Sequence, residues 1–313
     1  MFSPILDPMS KELPSLVITG STGFLGQHFI DSDFAGLHNI YRVVRTERFE
    51  KLTSREQKSK RFIQSSASIN ELTDFFGLIN GPINVVHLAT QFASQHSLGD
   101  VQPMLDTNVA LPTKLAEALA KTRKDGLFVN ISTLFQRFEG QEYSPISLYA
   151  STKEAILRIL DFYAQSKQMS VVDLTVGDMY GFGDVRPKLI PYLVRALLKE
   201  EKVTVGSGSQ VLSLLHVKDA VRALTAAIEL GRQENQKSVM RVGTIPSRYL
   251  TVKELIELMQ IISCQKFNIE FDGTRDRPRE IYSPISNLFG VPGYLEGISI
   301  EEGLRDLFKN ELD

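Results

Sequence analysis

The chain has 313 residues, 42% hydrophobic and 23% charged, enough to bury a sizeable core at the length where one large domain tends to gain a smaller companion. Its formal net charge of -2 gives no basic field for a phosphate backbone, which argues against a nucleic-acid partner. A single cysteine, Cys264, excludes an intrachain disulfide framework, and with Ile261 and Ile262 beside it the thiol is expected to be buried.

The opening segment, MFSPILDPMSKELPS, places acidic and proline residues where a signal peptide needs a continuous apolar stretch, and no later run approaches membrane-spanning length. A cytoplasmic protein is expected. The first strand reads as SLVITG at 15–20, apolar throughout, as a strand covered by helices on both faces should be. It runs into Gly20, Gly23 and Gly26 of LVITGSTGFLGQHF. Glycines between a strand and a helix allow a left-handed turn and close approach of backbone N–H groups to a pyrophosphate, so Gly20, Thr22, Gly23, Phe24, Leu25 and Gly26 are candidates to hold a dinucleotide. Their spacing is one residue longer than the ordinary G-x-G-x-x-G pattern.

A second strand, YRVVR at 41–45, ends on Arg45. An NAD-selective protein usually offers Asp or Glu there to the ribose 2′-hydroxyl, whereas a guanidinium suits a 2′-phosphate, so NADP(H) is favoured over NAD(H). The alternative for Arg45 is a solvated strand-end charge. Strands follow at RFIQS (61–65) and NVVHLA (84–89), then an amphipathic helix over 108–124, a strand LFVNIS (127–132), a helix over 148–168 and a strand VVDLTV (171–176). The alternation predicts βαβ units and a Rossmann-type, doubly wound parallel sheet. Ser132 and Thr133 end the fifth strand, at the edge where open α/β sheets bind ligands. Tyr149 and Lys153 lie four apart on one helical face, where side chains meet. An adjacent ammonium is expected to lower the pKa of the phenol and fit it for proton transfer. By itself Y-x-x-x-K is common by chance; the upstream glycine turn gives it weight.

Beyond 176 the regular repeat ends. A loop rich in Gly, Asp and Pro, a helix LIPYLVRALLKEE, a short strand near VTVG, then VMRVGTI and a helix from Thr251 to Ile262 are read from the pattern. Residues 1–176, with returning segments at about 214–245, are assigned to the dinucleotide-binding domain. About 177–213 and 246–313 are assigned to a smaller α/β substrate lobe.

Taken together, GSTGFLG, HLAT at 87–90, Asn108, IST at 131–133, YASTK at 149–153, MYGFGDVRPKLI and HVKDAV resemble the extended short-chain dehydrogenase/reductases that modify nucleotide sugars. Within them, NISTLFQ, SPISLYASTK and DMYGFGDVRPKL are most similar to the CDP-4-keto-6-deoxyglucose reductases. The resemblance implies that Tyr149 gives or takes the proton, that Lys153 also holds the nicotinamide ribose, and that Thr133, assisted by Ser132, binds the sugar oxygen. It further implies cofactor contacts by Leu88, Ala89, Thr90 and Asn108, diphosphate contacts by Arg186, Lys188 and Arg279 or Arg277, and a homodimer formed through the helices at 108–124 and 149–168. Three departures stand out. Leu134 and Phe135 occupy the places where sugar 4,6-dehydratases carry an acidic pair, Leu212 or Ser213 stands where many relatives have a phosphate-binding Arg, and Ser65 or Ser66 stands where an Asp usually meets adenine. The resulting expectation is an NADPH-dependent reductase of a 4-keto-6-deoxyhexose attached to a nucleotide. A nucleotide-sugar 4-epimerase using NAD is the alternative, and a cofactor-sensing binding protein without chemistry is the alternative of another class.

Overall fold

Short apolar runs buried on both faces need helices above and below them, and the computed structural model, which describes residues 13–53, 61–122, 126–167, 169–233, 238–246, 248–285, 289–295 and 297–312, has that arrangement. Strands β1 (Ser15–Thr19), β2 (Asn39–Val44), β3 (Phe62–Gln64), β4 (Ile83–His87), β5 (Gly126–Thr133) and β6 (Ser170–Val176) are joined by a seventh, Val239–Gly243. The order across the sheet is seventh, β6, β5, β4, β1, β2, β3, and every ladder is parallel. The chain therefore has the Rossmann-type doubly wound fold. Its order reverses between β1 and β4, so a crevice opens at their carboxyl ends.

The two faces are packed by different helices. On one, Leu16, Ile18, Val129 and Leu174 meet Phe29 of helix Phe24–Ile30 and Leu224 and Ile228 of helix Val217–Gln233. On the other, Val17, Val85, Phe128 and Val171 meet Leu115 and Leu119 of helix Leu111–Thr122 and Ile156 and Leu160 of helix Leu148–Lys167. A third core gathers helices Leu189–Leu198, Val252–Ser263 and Ile300–Leu312 around Leu193, Leu255, Met259 and Leu304. Parallel pairing of Asp178–Tyr180 with Leu214–His216 links this part to the carboxyl end of β6.

Two local expectations are corrected. The helix anticipated from 108 begins earlier: Leu98–Leu105 runs through a π turn, Asp106–Ala110, into Leu111–Thr122. Pro112 has no N–H for the carbonyl of Asn108, and the ladder widens at that point. The expected end at Lys124 lies outside the described residues. Cys264 is exposed, not buried, because it caps helix Val252–Ser263 in the left-handed conformation with φ 55°, where the chain turns outward, and its neighbour Ile261 is exposed as well. Among the described residues no helix is long and apolar enough to cross a membrane.

Candidate active site

The crevice starts at the glycine turn. Gly20 adopts φ +68°, and a Cβ there would stand 2.5 Å from the backbone nitrogen of Ala89. The turn after β1 is thus pressed against the chain leaving β4. A Cβ on Gly26 would stand 2.1 Å from the Gly20 carbonyl oxygen, so the helix packs onto the turn only without a side chain. The Gly23 N–H donates to Gly20 O at 3.0 Å, and Gly23 caps helix Phe24–Ile30 with no side-chain hydrogen bond. The first helical amides, at Phe24 and Leu25, have no intrahelical acceptor. A pyrophosphate fits such a cradle.

Around it, Arg45 is exposed at the end of β2 and forms no ion pair among the described residues. Ser66 exchanges a hydrogen bond with Thr46 at 3.0 Å. Lys114, which sequence reading passed over, donates to the carbonyls of Ser65 (3.0 Å) and Ala67 (2.8 Å) and fixes the end of β3. Asn108 is fully buried. It accepts from the Thr90 hydroxyl (3.2 Å) and the Gln91 N–H (2.8 Å) and donates to Gln91 O (3.0 Å) and the Thr152 hydroxyl (3.0 Å). Its side chain pins the 88–92 loop, with Leu88, Ala89 and Thr90, to the helix that carries Tyr149 and Lys153.

Tyr149 is partly buried and meets Phe92 edge-on, with 4.9 Å between ring centroids. Burial pushes its pKa up to about 12; a hydrogen bond from Thr90 and the charge of Arg186 act downward, and Asp178 upward. The phenol's pKa is thus raised by burial and not, as the spacing suggested, lowered overall, with Arg186 a cation that opposes the shift. Lys153 is 2% exposed and faces inward. Burial brings its pKa down to about 8 against the opposing carboxylate of Asp173.

Thr133 ends β5 half-buried, and its hydroxyl oxygen accepts from the Phe135 N–H at 3.3 Å, which leaves the hydroxyl proton for another acceptor. The turn is held by Gln136, whose amide oxygen accepts from the Thr133 N–H (3.0 Å) and whose amide nitrogen donates to Glu154 (2.8 Å). Ser132 is placed differently: it is 2% exposed and its hydroxyl donates to Asp173 at 2.7 Å. Leu134, with Phe135 and Ile146 beside it, packs against Ile281 and Ile285.

The cations from the second half of the chain fare unequally. Arg186 donates to both oxygens of Asp184, at 2.6 and 2.8 Å, and lies 4.6 Å above the Phe24 ring. Arg277 is paired with Glu280. Arg279 is exposed, bonded to the Ser144 hydroxyl at 2.7 Å and stacked 4.3 Å from Phe138. Lys188 stands 4.6 Å over Phe92 and forms no ion pair among the described residues. Leu212 lies in a two-residue antiparallel pairing with Leu250. Asp178, overlooked in the sequence, lies among these groups: burial raises its pKa while Lys188, Arg277 and Arg186 lower it. Its only sequence signal is a charge directly after an apolar strand.

A family model described as "NAD dependent epimerase/dehydratase family" matches residues 16–243. Among curated proteins the chain is 25% identical over 299 residues to CDP-abequose synthase of Salmonella typhimurium, covering 94% of this chain and 97% of that one. It is 27% identical over 311 residues to dTDP-glucose 4,6-dehydratase of an Actinoplanes species, covering 93% and 95%. Among solved structures it is similar to UDP-glucuronic acid 4-epimerase from Bacillus cereus, in complex with UDP-glucuronic acid and NAD, with TM-score 0.76 at 20% identity over 96% of this chain and all (100%) of that one.

Proposed function

This chain belongs to the NAD dependent epimerase/dehydratase family, and we propose that within it the protein reduces the 4-keto group of a nucleotide-linked 6-deoxyhexose, with a CDP-sugar as the favoured substrate and NADPH as the favoured reductant. The observation that carries this reading is the surrounding of Thr133. Leu134 and Phe135 are packed with Ile146, Ile281 and Ile285, so the two positions that follow Thr133 supply no acid and base to eliminate water, and Tyr149 is the proton donor this reading assigns. The relatives include a synthase, a dehydratase and an epimerase, and this feature supports reduction over dehydration.

The glycine cradle fits a dinucleotide because its tight backbone packing exists only without a Cβ at Gly20 or Gly26, either of which would collide with neighbouring backbone. The bound nicotinamide supplies the hydride. Thr133 donates its hydroxyl proton to the ketone oxygen and orients it. The phenol of Tyr149, held protonated by burial, passes its proton to that oxygen as negative charge develops. A protonated phenol is the form a reductase needs at the start, whereas a dehydrogenation-first epimerase starts from the phenolate. Lys188, over Phe92 and in no ion pair among the described residues, is the cation this reading assigns to the substrate diphosphate, and exposed Arg45 supports selection of a 2′-phosphate.

The test is NADPH oxidation against a panel of nucleotide-linked 4-keto sugars, with NADH in parallel. Stoichiometric consumption of NADPH is expected. The Tyr149→Phe variant should lose about 10²- to 10⁴-fold in kcat while binding NADPH normally; undiminished turnover in it removes the phenol from the mechanism. Co-purifying NAD with interconversion and no net oxidation would establish the epimerase instead.

A further inference from the structure

The ring of Phe92 stands where three parts of the chain meet, and nothing in TQFASQHS marks it out. It directly follows Gln91, whose N–H donates to Asn108 Oδ1 at 2.8 Å and whose carbonyl accepts from Asn108 Nδ2 at 3.0 Å, so the backbone that carries the ring is fixed. From helix Leu148–Lys167 comes Tyr149, whose ring meets it at 80° with centroids 4.9 Å apart. From the later part of the chain comes Lys188, which caps helix Leu189–Leu198 and holds its ammonium nitrogen 4.6 Å from the ring centroid. Phe92 is only half-buried, and among the described residues it joins none of the apolar clusters that pack the fold. Core packing does not account for a phenyl ring set between a phenol and an ammonium.

We infer that Phe92 is a specificity-determining residue: its ring is the apolar wall that receives C5 and the C6 methyl of the sugar and disfavours a 6-hydroxyl. The inference rests on the proposed function and deepens it. A hexose that takes its proton from Tyr149 at the C4 oxygen, and presents the phosphate on its C1 oxygen to Lys188, has opposite corners of its pyranose at those two groups. One edge of the sugar therefore runs along Phe92, which touches both. The edge made of C2 and C3 carries two hydroxyls, and against a hydrocarbon ring they would lose water without gaining a partner. The edge made of C5 and the ring oxygen carries a methyl in a 6-deoxyhexose, and burial of that methyl is favourable. Polar groups of the adjoining loop are already used: the Thr90 hydroxyl donates to Asn108 at 3.2 Å, and both backbone groups of Gln91 are committed to the same side chain. A 6-hydroxyl on this side would be desolvated against the ring.

The test needs no turnover. Calorimetry on the protein as purified compares nucleotide-linked 6-deoxyglucose with nucleotide-linked glucose, in CDP, UDP and dTDP pairs, and the ratio of affinities is taken within whichever nucleotide binds. The parent protein should prefer the 6-deoxy sugar by about 10- to 100-fold, the size of discrimination a hydrophobic site achieves for a group of this kind. Phe92→Asn should bring the pair to parity, whereas Phe92→Leu, which keeps an apolar side chain, should retain the preference. A merely structural Phe92 weakens both sugars alike and leaves the ratio where it was, which overturns the inference; so does a parent protein without the preference, or one that binds no member of any pair. A second measurement needs no polar variant. With the protein protonated only in its Phe rings, the C6 methyl of the bound 6-deoxy sugar should show a nuclear Overhauser effect to a ring signal that is lost in Phe92→Leu. No such methyl-to-ring effect overturns the inference even where Phe92→Asn does not fold. Absence of NADPH oxidation with every 4-keto-6-deoxy sugar, while the preference and the methyl contact are present, removes the reductase and leaves the wall standing; NADPH oxidation without the preference does the reverse.

Discussion

Lys153 and Asp173 are each 2% exposed, and both titrate away from their ordinary positions because burial penalises charge. Lys153 falls from 10.5 to about 8 and Asp173 rises from 3.8 to about 6. For the lysine, the unfolded chain holds the proton and the folded chain does not between about pH 8 and 10.5, so stability rises with pH there and the full cost stands below pH 8. For the aspartate, the folded chain holds the extra proton between 3.8 and about 6, so the cost grows through that interval and stands in full above it. The two costs overlap between pH 6 and 8, each roughly 3 kcal/mol at 1.36 kcal/mol per pKa unit. Replacing buried charges by uncharged groups of similar volume is often stabilising by about 1–4 kcal/mol, and the double variant Asp173→Asn, Lys153→Met should be more stable by that amount at pH 7 and without turnover. Urea unfolding at pH 5, 7 and 9.5 measures it: the advantage should be greatest at pH 7, and a double variant less stable than the parent there refutes the account. Tyr149, Lys153 and Thr133 were legible from spacing and from position at strand and helix ends. Asp173 was not, because VVDLTV reads as one apolar strand and its partners lie on two other strands. Burial of the phenol was equally hidden, since the packing of Phe92 against Tyr149 brings together residues remote in sequence.

At the scale of elements, the turn between β1 and the first helix shows how a glycine pattern becomes geometry. Gly26→Ala puts a methyl group 2.1 Å from the Gly20 carbonyl oxygen, and backbone on both sides must move. Overpacking of this kind costs about 1–3 kcal/mol, and the turn it displaces is the proposed pyrophosphate cradle. The expected outcome is a lower urea midpoint together with at least tenfold weaker NADPH binding by fluorescence quenching. Gly36→Ala, where a Cβ meets no atom within 4 Å, should leave NADPH affinity unchanged and serves as the control. Equal effects in the two variants contradict a specific role for the turn. Strand positions were readable to within a residue or two, because apolar runs of this length have few other structures open to them. The π turn at Asp106–Ala110 was not readable: apolar spacing through 108–122 is the same with or without a locally widened ladder, and the departure lies in the backbone of Asn108 and Pro112.

Across the whole molecule, the turn after β5 meets the irregular segment 281–285 of the later part of the chain at the apolar contact of Leu134, Phe135 and Ile146 with Ile281 and Ile285. Arg279 adds a second contact on the 134–147 segment through Ser144 and Phe138. The sequence indicated that Leu134 and Phe135 cannot exchange protons, and the fold adds what they do instead: they anchor the far part of the chain to the turn that holds Thr133. Leu134 is 4% exposed, and a carboxylate in its place would have no partner in an apolar seam, a cost of several kcal/mol unless the seam opens. Leu134→Asp should therefore separate the two parts locally, lower kcat/KM for the sugar by at least tenfold, and leave NADPH binding intact, because the glycine cradle follows β1, two strands away from β5 along the same edge. Leu134→Met keeps volume and polarity and should cost less than about 1.5 kcal/mol with near-normal turnover. Steady-state kinetics and NADPH titration on the two variants separate the cases. If Leu134→Asp loses NADPH and sugar together, the seam supports the whole fold; if it loses the sugar alone, the seam is the device that carries substrate-binding residues to Thr133 and Tyr149.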